Sequence, residues 1–279
     1  MKKIILFVSA ALLSLGVDAQ VKVPQPSPLS KIEQVVGLTD VAIEYSRPSM
    51  KGRTIFGNLV PYDKLWRTGA NKNTQITFGD DVKVGGAELK KGTYAIFTKP
   101  GKENWEVMFY SDANNWGTPR EWDDSKVAAK ITVKSTKIPM NVETFTIMLS
   151  DFTMDSAHIN ILWENTEAAI KLEVPSKKKA AESIELVMAG PSHNDHYQAA
   201  TFYKETGDLD KAKAHIEKAV AGRADAFWYH RQHSLILAKS GDKAGAIKAA
   251  KTSLELAEKA KNADYVKLNK DSLAEWGAK

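Results

Sequence analysis

Hydrophobic residues in this chain keep one period up to Pro175 and another after it, and no single architecture satisfies both. From Lys31 to Val174 the period is two. Val41, Ile43 and Tyr45 share one face of "TDVAIEYS", and Ile76 with Phe78, Tyr94 with Ile96, and Trp105, Val107 and Phe109 repeat the alternation. It continues through Ile131 and Val133, then Phe145, Ile147 and Leu149, then Ile159, Ile161 and Trp163, and last Ile170, Leu172 and Val174. Turn signals at Gly79, Gly85, Lys90, Lys99 and Glu164 separate these runs. Successive strand residues point to opposite faces, so such runs predict about nine short antiparallel strands with one buried and one wet face. The expected fold is a sandwich or jelly roll. No helical stretch stands between the strands, which argues against a parallel α/β sheet.

After Pro175 the spacing becomes 3.6 and the composition turns to Ala, Lys, Glu and Leu. Residues repeat at a shift of 34, with Gly207 over Gly241, Asp208 over Asp242 and Ala212 over Ala246. The same shift carries His196 to His230, Ala200 to Ser234 and Tyr203 to Leu237. This pattern resembles the tetratricopeptide repeat, in which Gly-Asp ends one helix and caps the next while small residues permit close approach. It departs from that family at Ala224, often Pro there, and at His196 and His230, often Trp. Two full repeats bury little by themselves, so the array is expected to pack against the β half. The fold class is thus α+β by segregated domains, with all-α tetratricopeptide-like hairpins following the sandwich. The boundaries are 20–30 for a Pro-rich N-terminal segment, 31–175 for the sandwich and 176–279 for the helices.

The first 19 residues read as a secretory signal. Lys2 and Lys3 precede an apolar stretch from Ile4 to Leu15, and Val17-Asp18-Ala19 offers a small-residue cleavage site. The apolar run is too short for a transmembrane segment, and none follows. Export to the periplasm or outside the cell is therefore expected. The chain has no cysteine, which excludes disulfides, thiol catalysis and cysteine-ligated metals. The formal charge of +5 is too mild to imply nucleic acid unless it is concentrated.

It is concentrated. Between Arg47 and Lys72 stand six cations (Arg47, Lys51, Arg53, Lys64, Arg67, Lys72) and one anion, Asp63, a local +5 that equals the whole excess. The segment keeps neither period, yet Ile55, Phe56, Leu59, Val60, Tyr62, Leu65 and Trp66 are too apolar for disorder. Two readings stay open. Either the loop presents Arg47, Arg53, Trp66, Arg67 and Asn71, with Trp116 from a second loop, to an anionic or glycan ligand. Or Trp66 plugs the core and the arginines bind backbone carbonyls. The second loop, 111–126, adds Trp122 and the carboxylates Asp112, Glu121, Asp123 and Asp124. These suit sugars, or would serve an alternative role as an envelope or carbohydrate hydrolase. On the helices, Asn194, His196, His230 and Arg231 are candidates for a protein-binding groove. His193 with His196, and His230 with His233, share faces at a spacing of three, but no fourth ligand accompanies them, so no metal is expected. No cofactor motif is present, and catalysis is the less favoured reading.

The string "GLTDVAIEYSRPSMKGRTIFGNLVPYDKLWRTGANKNTQITF", with "KKGTYAIFTKPG", "NWEVMFY" and "NNWG", resembles the exported bacterial domain of unknown function 2911 family over about residues 28–174. The resemblance implies secretion and a β-rich domain sometimes followed by helical repeats. It implies no activity, cofactor or catalytic residue.

Overall fold

The computed structural model describes residues 23–188 and 190–278. The expected signal, 1–19, lies outside the described residues. Nine antiparallel strands form the N-terminal part: β1 (Leu29–Val36), β2 (Thr39–Ser46), β3 (Ala70–Phe78), β4 (Val82–Val84), β5 (Ala87–Leu89), β6 (Gly92–Pro100), β7 (Asn104–Tyr110), β8 (Val127–Ser150) and β9 (Ser156–Glu173). They run β1-β2-β3-β6-β7-β8-β9-β4-β5. β8 belongs to two layers: residues 127–134 pair with β7, and 135–150 pair with β9. Register shifts between Lys137 and Thr146 mark the bend. Two stretches read as separate strands are thus one strand of 24 residues. Likewise Glu164, read as a turn, is an interior residue of β9 in a left-handed conformation (φ 54°).

Residues 47–50 carry the chain from β2 across to the second layer. Met50 N–H donates to Glu143 O (2.8 Å) and Phe145 N–H to Pro48 O (2.9 Å). Tyr45 ties the layers further, since its hydroxyl donates to Ile147 O (3.0 Å) and accepts from Ile147 N–H (2.9 Å). All the inward residues named from the alternation are in the main core except Leu149, which packs partly buried against it. The outer face is not uniformly wet. Ala95, Phe97, Met108 and Tyr110 form a second cluster there, covered by Leu65 and Trp122 from the two irregular loops. Those strands are buried on both faces because the loops supply the missing layer.

Six helices follow: α1 (Ser176–Val187), α2 (His193–Thr206), α3 (Leu209–Gly222), α4 (Phe227–Lys239), α5 (Lys243–Lys259) and α6 (Ala263–Glu275). They stack as antiparallel hairpins with Ala-rich seams. Gly207 (φ 89°) and Gly241 (φ 85°) adopt the left-handed conformation after α2 and α4, where a Cβ would be strained. Asp208 and Asp242 then accept from the Lys211 and Gly245 amides and start the next helices.

The expectation that the array packs against the β half holds only at the start of α1. The β core and the helical cores share no residue. The first turn of α1 makes the junction: Ser176 Oγ accepts from Leu38 N–H (2.9 Å), and Lys179 Nζ reaches Asp80 (2.7 Å) and Leu38 O (3.0 Å). Lys177 pairs with Asp155 at 2.9 Å. Thr39 donates to the same Asp80 carboxylate, and these two hydrogen bonds, led by that of Lys179, hold its pKa below the ordinary value.

Candidate functional site

The segment from Ser46 to Lys72 is a packed lid. Ile55, Phe56 and Val60 are buried in the main core. Trp66 joins them half-buried, stacking on Trp163 at 5.9 Å (17° between planes) and meeting Phe145, Phe56 and Trp105 edge-on or nearly so. Its backbone also extends the sheet, since Trp66 N–H donates to Thr98 O (2.8 Å) and Trp66 O accepts from Thr98 N–H (2.9 Å). Aromatic burial of this kind explains why a loop with no period is ordered.

The arginines orient on backbone oxygens. Arg47 donates to Phe145 O (3.1 Å) and Thr146 Oγ1 (2.7 Å), Arg53 to Met50 O (2.8 Å) and Ser49 O (2.7 Å), and Arg67 to Asn71 O (3.0 Å). Asn71 Nδ2 holds Ser27 O and Ser46 Oγ, each at 3.3 Å. Both readings of the segment therefore have a part in the geometry. Trp66 is core, and the arginines do bind carbonyls. Yet between this lid, Pro26–Ser27 and Trp163 there is a cavity of about 410 Å³ whose lining includes Lys51, Arg53, Trp66 and Arg67. That volume falls within the range of small-molecule sites. Arg47 lies outside its lining, its guanidinium turned onto β8, and Asn71 and Trp116 lie outside it as well.

Among the described residues, no carboxylate lies within ion-pair distance of Lys51, Arg53 or Arg67. A second cavity, of about 420 Å³ beside Pro175, provides the contrast. There Lys90 meets Asp81 at 2.9 Å and Lys83 meets Glu88 at 3.7 Å, so its charge is compensated from within. The lining of the lid cavity holds three cations and no carboxylate, with Glu143 at its edge, where Oε1 accepts from the Lys51 backbone N–H (2.9 Å).

In the second loop, the two tryptophans differ. Trp122 stacks on Tyr110 (4.6 Å) and meets Phe97 edge-on, and so closes the outer cluster. Trp116 is 78% exposed. Three of its carboxylates are engaged locally. Asp112 pairs with Lys126 (3.3 Å), Asp123 accepts from Ser125, and Asp124 accepts from Trp122 Nε1 (2.8 Å). The Lys126 hydrogen bond holds Asp112, and the Ser125 hydroxyl holds Asp123, below the usual carboxylate range, the opposite of what a general acid needs. Asn73 of β3, which sequence reasoning missed, is 2% exposed with neither side-chain polar atom bonded among the described residues. Its N–H donates to Asn115 O (3.2 Å), directly beneath this loop. No pattern of period or charge marks it in the sequence.

The groove candidates are largely engaged inside the bundle. His196 Nδ1 lies 2.9 Å from His215 Nδ1, His230 Nε2 lies 2.8 Å from Ala224 O, and Arg231 donates to Ser272 Oγ of α6 (3.0 Å). Asn194 is exposed on the first turn of α2. Among the described residues, no three His, Asp or Glu side chains converge as metal ligands.

The family described as "Protein of unknown function (DUF2911)" matches residues 27–172, just over half of the chain, from before β1 to the penultimate residue of β9. The chain belongs to that family. DUF2911 as matched here contains the lid, the basic cavity and both loops, and stops before α1. A comparison with curated proteins finds no match. Among the described residues no helix is long and apolar enough to cross a membrane.

Proposed function

We propose that this DUF2911 protein is an exported, non-catalytic binding protein. Its β domain takes an anionic ligand in the lid cavity, and its helices form a short tetratricopeptide array for a protein partner. The observation that carries the reading is the charge of that cavity. Lys51, Arg53 and Arg67 line it and form no ion pair among the described residues, whereas the cavity beside Pro175 pairs its own lysines with carboxylates of its lining. An arginine held at one nitrogen by a carbonyl keeps the rest of its planar fork for a carboxylate or phosphate. Asp112 and Asp123 of the second loop, engaged by Lys126 and Ser125 and held below the usual carboxylate range, favour binding over hydrolysis. The basic n-region and apolar stretch before Ala19 support export, so the expected ligands are those of the periplasm or cell exterior.

Titration with galacturonate and inorganic phosphate tests the cavity, with melting temperature followed in parallel. Removing one desolvated charged contact costs on the order of 1.5–3 kcal/mol, so Arg67→Ala should weaken binding about ten- to a hundredfold. Lys51 is exposed and its ammonium has no partner among the described residues, so Lys51→Ala should weaken binding without lowering the melting temperature. Wild type that binds neither anion, together with an Arg67→Ala protein that melts early, would make the segment a structural plug.

The 34-residue shift with its paired Gly-Asp junctions supports the array reading. The partner face would comprise Asn194, His196, His230 and Arg231, with Asn194 outermost. A photo-crosslinker at Asn194 in the full chain, expressed in cells, tests it. If it captures no partner there, the protein-contact half of the proposal fails.

A further inference from the structure

Trp116 is the one tryptophan that the fold leaves in water, and it does not sit on a loose loop. Gln75 donates to Ala113 O, Asn73 N–H to Asn115 O, and Asn115 Nδ2 to Asp112 O (3.0 Å). Lys126 pins Asp112 from the far side. An indole presented on an anchored turn forgoes the burial that its area would otherwise supply. The next residue sets its location. Gly117, whose φ of 91° favours glycine, lies against Arg67: a Cβ there would stand 2.9 Å from Nη1, so the loop backbone meets the guanidinium directly. Trp116 is thus the chain neighbour of the residue that meets the arginine of the basic cavity.

Resting on the cavity reading above, we propose that Arg67 and Trp116 form one extended subsite for an acidic saccharide. The carboxylate of one sugar ring takes the Arg67 fork at the cavity, and the adjoining ring lays its C–H face on the Trp116 indole. The chemistry selects this class over its neighbours. A bare phosphate has no apolar face to place on an indole. A neutral sugar leaves the cavity's cations unused. An acidic oligosaccharide has an anionic group and flat C–H faces repeated along one chain. A single ring fills the cavity without needing Trp116, so the tryptophan should matter only for ligands of more than one ring.

Trigalacturonate, galacturonate, inorganic phosphate and neutral maltotriose, titrated against the full chain, test this. Wild type should bind trigalacturonate about tenfold more tightly than galacturonate. Trp116→Ala should erase that difference while leaving galacturonate affinity and melting temperature unchanged, and Trp116→Phe should restore most of it. If Trp116→Ala loses nothing, or trigalacturonate binds no tighter than galacturonate, the extended subsite is wrong. The cavity reading survives that outcome if Arg67→Ala still weakens galacturonate or phosphate binding about tenfold or more. No binding of any anion by wild type overturns both. Trp116-dependent sedimentation with phosphatidylglycerol vesicles, without saccharide binding, would make the residue a membrane contact and overturn the saccharide assignment.

Discussion

The two halves of the molecule fill their interiors in opposite ways. Between the β layers the fully buried side chains are large: Trp105, Phe78, Phe109, Phe145 and a row of Ile and Val, with Trp163 almost as deeply placed. In the helical half, alanines are the majority of the buried apolar residues (Ala199, Ala200, Ala212, Ala219, Ala226, Ala246, Ala249, Ala250 and Ala257), with Ile216, Tyr229, Ile236, Leu237 and Leu273 the larger ones among them. Geometry explains the contrast. Facing sheet layers stand about 10 Å apart, and only long side chains close that gap. Helices in hairpins close their gap by approaching, which small residues at the seam allow. One half should be most sensitive to losing volume and the other to gaining it.

The largest effect should come from the β side. Trp163 stacks on Trp66 at the centre of the aromatic cluster, and its Nε1 donates to Glu143 O (3.2 Å). Trp163→Ala should cost about 3–5 kcal/mol, read from the urea midpoint of the β half. A loss below about 1 kcal/mol would show that the lid collapses into the space and that the aromatic core is not rigid. Ala212→Leu is the reverse experiment. It occupies a fully buried seam position repeated at Ala246, and overpacking should cost about 1–3 kcal/mol of helical stability. A neutral result would mean that the hairpins can separate, and would count against the tetratricopeptide reading.

The smallest effect is a dependence on pH confined to the helices. Desolvation, the first cause in each case, holds His196, His215 and His233 below the ordinary histidine value, with neighbouring cations such as Lys218 beside His196 and His215 adding to it. A folded-state pKa below the unfolded one means that the unfolded chain binds more protons. The stability these groups contribute is complete above the unfolded pKa of about 6.5 and is lost as pH falls toward their folded values. Thermal melts at 222 nm should therefore shift downward between pH 7.5 and pH 5.5. A helical transition unmoved over that window would show these imidazoles to be solvated.

How far the sequence could be read depended on whether a residue's role was local. Alternation marked the inward faces of β2, β3, β6, β7 and β9, because one buried face imposes a period of two whatever the neighbouring strand is. The repeat marked Gly207 and Gly241, because a left-handed helix end is a requirement of the backbone itself. The same logic misplaced Glu164, since a turn signal and an interior bend use the same residue chemistry, and it split β8, whose bend depends on pairing with two different strands. At the candidate site, composition identified the cation-rich lid but could not distribute its arginines. Arg47 went to β8, a strand about 100 residues away, while Arg53 and Arg67 turned to the cavity.

By itself, then, the chain determined its two periods, the inward faces, the helix junctions, the absence of thiol chemistry and the concentration of positive charge in one segment. These follow from the neighbours each residue has along the backbone. Only the tertiary structure decided that Trp66 and Trp122 pack partly buried against the cores while Trp116 is exposed, that the Asn73 side chain is buried without a bonded partner among the described residues, and that the lid cavity is lined by cations and no carboxylate. Those outcomes depend on which distant surfaces meet, and residues of one type in similar loops are separated by contacts that no local pattern encodes.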